Sequence, residues 1–154
     1  MLEDQQRAES LRDTGDVSQE NADAARRVLS AVTDRDVDAL LQLTDPEVQW
    51  RSFFAALLES GEYRGHDALR QYFRDLDDAF EVIRPEPVQM LDVGDLVVVV
   101  GRVWYRGRAS GVETEEAAGW VFKFKSGKVV SWRAFREPER AFAAVGLEAQ
   151  DRDD

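Results

Sequence analysis

Apolar residues recur at helical spacing in the first half of the chain and at strand spacing in the second. Ser18 is a suitable N-cap, and Ala25, Val28, Leu29 and Val32 after it form a one-faced stripe. Thr33-Asp34-Arg35-Asp36 breaks the run. Val37, Leu40, Leu41 and Leu43 predict a short second helix capped by Asp34 or Asp36 and ended by Asp45-Pro46. Val48 and Trp50 alternate with Gln49 and Arg51, a short strand. Phe53 to Leu58 is apolar and ambiguous, and Glu59-Ser60-Gly61 is a turn. Leu69, Tyr72, Phe73, Leu76 and Phe80 stripe a third helix entered through Tyr63-Arg64-Gly65-His66-Asp67.

After Pro85 and Pro87 the period shortens to two. Val88 to Leu91 predicts one strand, Val93-Gly94-Asp95 a turn, and Leu96 to Arg106 a long strand whose four consecutive Val imply burial on both faces. Gly107 to Gly111 is a loop. Thr114 to Lys125 and Lys128 to Arg136 predict a hairpin closed by Ser126-Gly127. Pro138 opens a last helix and Gly146 ends it. Helices followed by a meander of long strands predict an α+β fold, with N-terminal helices packed over the concave face of a curved antiparallel sheet.

The 154 residues suit one domain, placed at 18–147 between tails at 1–17 and 148–154 that are expected to be disordered. The net charge is −11; residues 1–20 contribute −4 and residues 148–154 contribute −3, leaving −4 between them. Such a chain is repelled by phosphate backbones and anionic membranes, so neither nucleic acid nor membrane is an expected partner. Zero Cys fits a reducing cytoplasm and removes thiolate nucleophiles and thiolate metal sites. A single His, His66, removes sites that need two imidazoles, and no calcium-loop spacing occurs, so no metal is expected. There is no GxGxxG or Walker loop, and no cofactor is expected.

Four segments resemble the SnoaL-like branch of the NTF2-like superfamily. They are Asp34-Arg35-Asp36-Val37-Asp38-Ala39-Leu40-Leu41, then Asp45-Pro46-Glu47-Val48-Gln49-Trp50 with Tyr63-Arg64-Gly65-His66, and the hairpin Val121 to Val129. The resemblance covers roughly residues 20 to 147 and implies a cone-shaped α+β barrel with a deep apolar pocket, often in a homodimer. It spans isomerases, polyketide cyclases, epoxide hydrolases and non-catalytic binders. The position of the isomerases' general-base Asp corresponds to Ser52, and that of their oxyanion Tyr to Val28. An Asp–Arg–Asp set like that of the hydrolases finds no acid between Leu96 and Arg106. The cyclases' pocket His or Asp has no counterpart in His66, which sits in a turn before a helix.

A two-residue turn pairs Lys125 with Lys128, and counting back sorts the hairpin into two faces. One carries Glu115, Ala117, Gly119, Val121, Trp132, Ala134 and Arg136; its small residues leave volume, which makes it the expected ligand face. The other carries Trp120, Phe122, Phe124 and Phe135 and suits a homodimer interface. Trp50, Tyr63, Tyr72 and Trp132 are expected to line the pocket, with Glu115 and Arg136 at its rim and Glu113 or Glu116 replacing Glu115 if the register slips. Glu115 and Ser52 are the catalytic candidates. Three classes follow: a binder of a small apolar molecule; a cofactor-independent isomerase, cyclase or hydrolase working by proton transfer; and a dimerisation or interaction domain. The first is the leading expectation.

Overall fold

Each helical stripe folds against a common sheet. The computed structural model of the chain describes residues 19–52 and 62–153. Ser18, Phe53 to Leu58, the Glu59-Ser60-Gly61 turn and the N-terminal tail lie outside those residues. Helix α1, residues 19–34, buries Ala25, Val28, Leu29 and Val32. It stops where Arg35 takes a left-handed φ of 55°. Of the two expected caps, Asp36 serves α2 (Val37–Leu43): its Oδ1 accepts from Ala39 N at 3.1 Å. Strand β1 (Thr44–Arg51) follows directly, and β2 is the two-residue Tyr63–Arg64. Gly65 turns the chain at φ 85° into α3 (His66–Ala79), which buries Leu69, Tyr72, Phe73 and Leu76.

Strand β3 (Phe80–Val93) is far longer than the expected Val88 to Leu91 and includes both prolines. It can hold them because it is an edge strand, where a missing N–H need not break a ladder. Strands β4 (Leu96–Gly107), β5 (Glu113–Lys125) and β6 (Lys128–Phe135) complete a curved six-stranded sheet in the order β2-β1-β6-β5-β4-β3. All neighbours are antiparallel except β1 and β6, which run parallel. The four-valine run is buried on both faces, with Val97 and Val99 towards the N-terminal helices and Val98 on the opposite side.

The hairpin turn forms as expected, with Ser126 at φ 53° and Gly127 at φ 78°, both positive as a type I′ turn requires. Lys125 pairs with Lys128 and Phe124 with Val129, but Lys123 then pairs with Ser131. Val130 is an extra residue, a β-bulge, and every pair beyond it moves by one. Trp132 therefore faces Phe122 rather than Val121, and Ala134 faces Trp120 rather than Gly119. Because side chains alternate with period two, this single insertion exchanges the faces of β5 relative to β6. Trp120, Phe122, Phe124 and Trp132 join Ala118, Val129, Val97 and Val99 in the main core beneath α1 and α3. The aromatic patch assigned to a dimer interface is thus internal, apart from Phe135, which lies on the outer face.

Helix α4 (Pro138–Asp153) packs across the outer face of β4, β5 and β6. Ala141 and Val145 cover Leu96, Val98 and Val121 in a second, smaller core. Gly119 permits the close approach: a Cβ there would lie 2.9 Å from Ala141 Cβ and 3.3 Å from Pro138 Cα. The helix runs through Gly146 instead of ending there, so most of the expected C-terminal tail is helical. Leu147, Glu148, Ala149 and Gln150 are good helix formers, which favours continuation past the single glycine.

Candidate functional site

The interior face near the end of β1 concentrates the aromatic residues. Trp50 and Trp132 are register partners on the parallel β1–β6 pair, and their rings stack at 4.0 Å and 16°. Tyr72, delivered from above by α3, lies 5.6 Å from Trp50 and 6.3 Å from Trp132 between ring centroids. Tyr63 meets Tyr72 edge-on at 5.4 Å, and Phe122 meets Trp132 at 6.4 Å. Four strands and one helix thus contribute a continuous aromatic wall, with packing beyond simple area burial.

The polar atoms of this wall are unevenly satisfied. Trp50 and Trp132 are 0% and 3% exposed, and neither indole Nε1 finds a hydrogen-bond acceptor among the described residues. A buried donor left unpaired costs about 1–3 kcal/mol, so two stacked ones are unusual and call for a reason. Burial pushes the Tyr72 phenol up; the Trp50 N–H is near enough to oppose this, though not in hydrogen-bonding geometry. Tyr63 is better served, since its hydroxyl donates to Asp75 Oδ2, and Gln71 Nε2 donates to the other Asp75 oxygen at 2.9 Å. Burial first, then the Asp75 hydrogen bond and charge, raise the Tyr63 phenol above its ordinary range.

Further along the inner face, Tyr105 of β4 stands opposite Thr114 and two pairs from Glu116, which itself faces buried Val103. Burial raises the Tyr105 phenol, the Glu116 carboxylate raises it further, and Arg136 acts in the opposite direction. Phe80 closes against Tyr105 at 5.1 Å. Glu116 and Tyr105 are both half-buried at this end of the strands, on the same face as the aromatic wall, and Arg136, exposed just past β6, is near enough to act on Tyr105.

The expected site residues divide between the two sides of the sheet. Trp50, Tyr63, Tyr72, Trp132 and Ala134 come together on the inner face, and buried Ser52 follows β1 beside them. Glu115, Ala117, Gly119 and Val121 lie on the outer face. Gly119 and Val121 are beneath α4, and Glu115 is paired with Arg102 at 2.7 Å with both side chains about half exposed. The one-residue shift brings Glu116 inward in place of Glu115. Sequence reasoning missed Tyr105, Phe122 and Asp75. A signal for the shift exists: apolar Val129 and Trp132 stand three apart in one strand, and both can be buried on one face only if a residue is inserted between them. His66 serves a structural contact, its Nε2 lying 3.2 Å from both Thr44 O and Thr44 Oγ1. Val28, at the isomerases' tyrosine position, is fully buried core. Among the described residues no group of three or more His, Asp or Glu is arranged to hold a metal ion, and no helix is long and apolar enough to cross a membrane.

A curved open sheet wrapped by N-terminal helices around an aromatic interior is the NTF2-like cone. The solved structures similar to this chain have the same architecture. An NTF2-like protein of unknown function from Burkholderia pseudomallei K96243 is 20% identical at a TM-score of 0.69, covering 82% of this chain and 97% of that one. TerC co-crystallised with polyporic acid is 18% identical at 0.68, covering 82% and 98%. A SnoaL-like polyketide cyclase, so described, from Jannaschia sp. CCS1 is 16% identical at 0.67, covering 84% and 93%. No curated protein matches the chain. The SnoaL-like domain model matches residues 25–132, and the chain belongs to that family.

Proposed function

We propose that this SnoaL-like protein binds a small, planar, mostly apolar molecule inside the cone, and that the molecule carries a hydrogen-bond acceptor. The observation that carries this reading is the pair of buried indole N–H groups, on Trp50 and Trp132, that lack a well-placed acceptor among the described residues. A stacked aromatic wall suits a flat ring system, and two unpaired donors within it suit a carbonyl or phenolic oxygen. The resemblance to a structure holding polyporic acid, and to structures described as polyketide cyclases, is consistent with such a ligand. Absence of Cys and of an extended apolar helix among the described residues fits the reducing cytoplasm as the compartment.

Anthraquinone and anthracene share a shape and differ in carbonyl acceptors, which makes them a discriminating pair of probes; polyporic acid is a third. Quenching of tryptophan emission reports binding. The expected result is that anthraquinone binds more tightly than anthracene, and that Trp50→Phe or Trp132→Phe weakens the quinone alone, by roughly threefold to tenfold for one lost neutral hydrogen bond. Equal affinity of the two probes for the wild-type protein overturns the acceptor requirement.

A second reading rests on the placement of Glu116. Its carboxylate is half-buried on the inner face beside the Tyr105 hydroxyl, an arrangement able to move a proton on a ligand without a cofactor. This enzyme reading expects Glu116→Gln to abolish turnover while leaving quinone affinity intact, whereas Glu115→Gln leaves both unchanged. Turnover that survives in Glu116→Gln rules out Glu116 as the proton carrier.

A further inference from the structure

The outer face carries an unrelated polar groove of about 680 Å³ at the hairpin end of the sheet. Four residues cross it in one lateral row: Arg64, Gln49, Ser131 and Lys123 stand in direct register on β2, β1, β6 and β5. The row carries two cations, an amide and a hydroxyl, so every member can donate a hydrogen bond. With strands spaced about 4.8 Å apart it spans roughly 14 Å between its outer Cα atoms, within which long Arg and Lys side chains can converge. Lys125, two residues along β5, also lines the groove.

The charge pattern makes these cations exceptional. The chain has 31 acidic and 20 basic side chains, and nearly every described Arg has a carboxylate, amide or carbonyl partner. Arg64, Lys123 and Lys125 have none among the described residues, and all three line this one groove. Acids are also present. Asp45 and Glu47 precede Gln49 on β1, on the hairpin side of the row, and Asp95 stands next to Leu96, the partner of Lys123. The groove is therefore neutral in sum, with a row of donors beside a group of carboxylates. A polyanion meets those carboxylates and a polycation meets the row.

We infer that the groove is a second ligand site, for a small zwitterion whose carboxylate lies on the Arg64–Gln49–Ser131–Lys123 row and whose ammonium group points to Asp45 and Glu47. The bulge at Val130 helps to build it, because it brings Ser131 rather than Val130 into line with Lys123. The site is separated from the cone interior by the sheet itself, so its occupancy is independent of the aromatic wall.

Three probes separate the charge requirements: γ-aminobutyrate carries both charges, acetate only the anion, and putrescine only cations. Amide chemical-shift titration of the full chain is the readout. The expected result is saturable shifts at Gln49, Ser131 and Lys123 with γ-aminobutyrate, and affinity at least tenfold weaker for acetate and for putrescine. Arg64→Gln with Lys123→Gln is expected to weaken γ-aminobutyrate about tenfold or more, as loss of charged hydrogen bonds requires, and to leave anthraquinone affinity unchanged. No shifts with γ-aminobutyrate, acetate or putrescine binding equally well, or shifts that persist in the double variant would each overturn the assignment.

Discussion

Placing a methyl group at residue 119 tests how α4 is held to the sheet. A Cβ built on Gly119 comes to 2.9 Å from Ala141 Cβ and 3.3 Å from Pro138 Cα, against about 3.5–4.0 Å for comfortable carbon contacts. The Ala141 methyl is fixed directly to the helix backbone and cannot rotate away, so α4 itself must move. Overpacking of this kind costs about 1–3 kcal/mol. Replacing Gly by Ala returns about 0.4–1 kcal/mol by restricting the unfolded chain. The expected net loss for Gly119→Ala is therefore about 0.5–2 kcal/mol, read as a lower urea midpoint with an unchanged m-value. Ala141→Gly in the same chain removes the clash while costing about 1 kcal/mol in helix propensity by itself. The two changes should thus couple, and a double-mutant cycle should return an interaction energy of about 1 kcal/mol or more. If Gly119→Ala is as stable as the wild type, or the two substitutions add within about 0.5 kcal/mol, the close packing of α4 on β5 is not what Gly119 serves.

Other consequences of the structure are equally direct. Burial raises the phenols of Tyr63 and Tyr72 above the ordinary tyrosine range, so the folded state holds protons that the unfolded chain releases. Stability should be level below pH about 10 and fall above it by up to about 1.4 kcal/mol per pH unit for each tyrosine; Tyr63→Phe should flatten that decline in urea titrations between pH 9 and 11.5. At neutral pH, Tyr63→Phe leaves the half-buried Asp75 without its phenolic donor, and a loss of about 1–2 kcal/mol is expected; no loss would show that the contact contributes nothing. Glu115→Gln breaks only a half-exposed pair with Arg102 and should cost less than about 1 kcal/mol in thermal or urea melts. Deleting Val130 removes the bulge and turns Trp132 and Ala134 to the outer face; loss of more than about 4 kcal/mol, or failure to fold, is expected by circular dichroism, and a stable protein would refute the register.

Local signals in the chain determined most of the architecture. The stripe of Leu69, Tyr72, Phe73 and Leu76 marks α3, the valine run marks a strand buried on both sides, and Ser126-Gly127 marks a turn that forms as read. These features depend on neighbours within a few residues, so periodicity and turn chemistry are enough to find them. They also assembled an aromatic set, Trp50, Tyr63 and Tyr72, that the fold keeps together. Which way the hairpin faces was decided elsewhere. Trp132 can stack on Trp50, and Phe122 and Trp120 can fill the space under α1 and α3, only if β6 takes in Val130 as an extra residue. The driving force is burial of large aromatic surface against helices distant in sequence, and it outweighs one irregular step in the ladder. The same contacts moved Glu116 inward, left Glu115 to pair with Arg102 outside, and freed the small-residue face for α4. A side-chain period of two makes face assignment depend on a single residue of register, and that residue is set by tertiary packing rather than by the hairpin's own sequence.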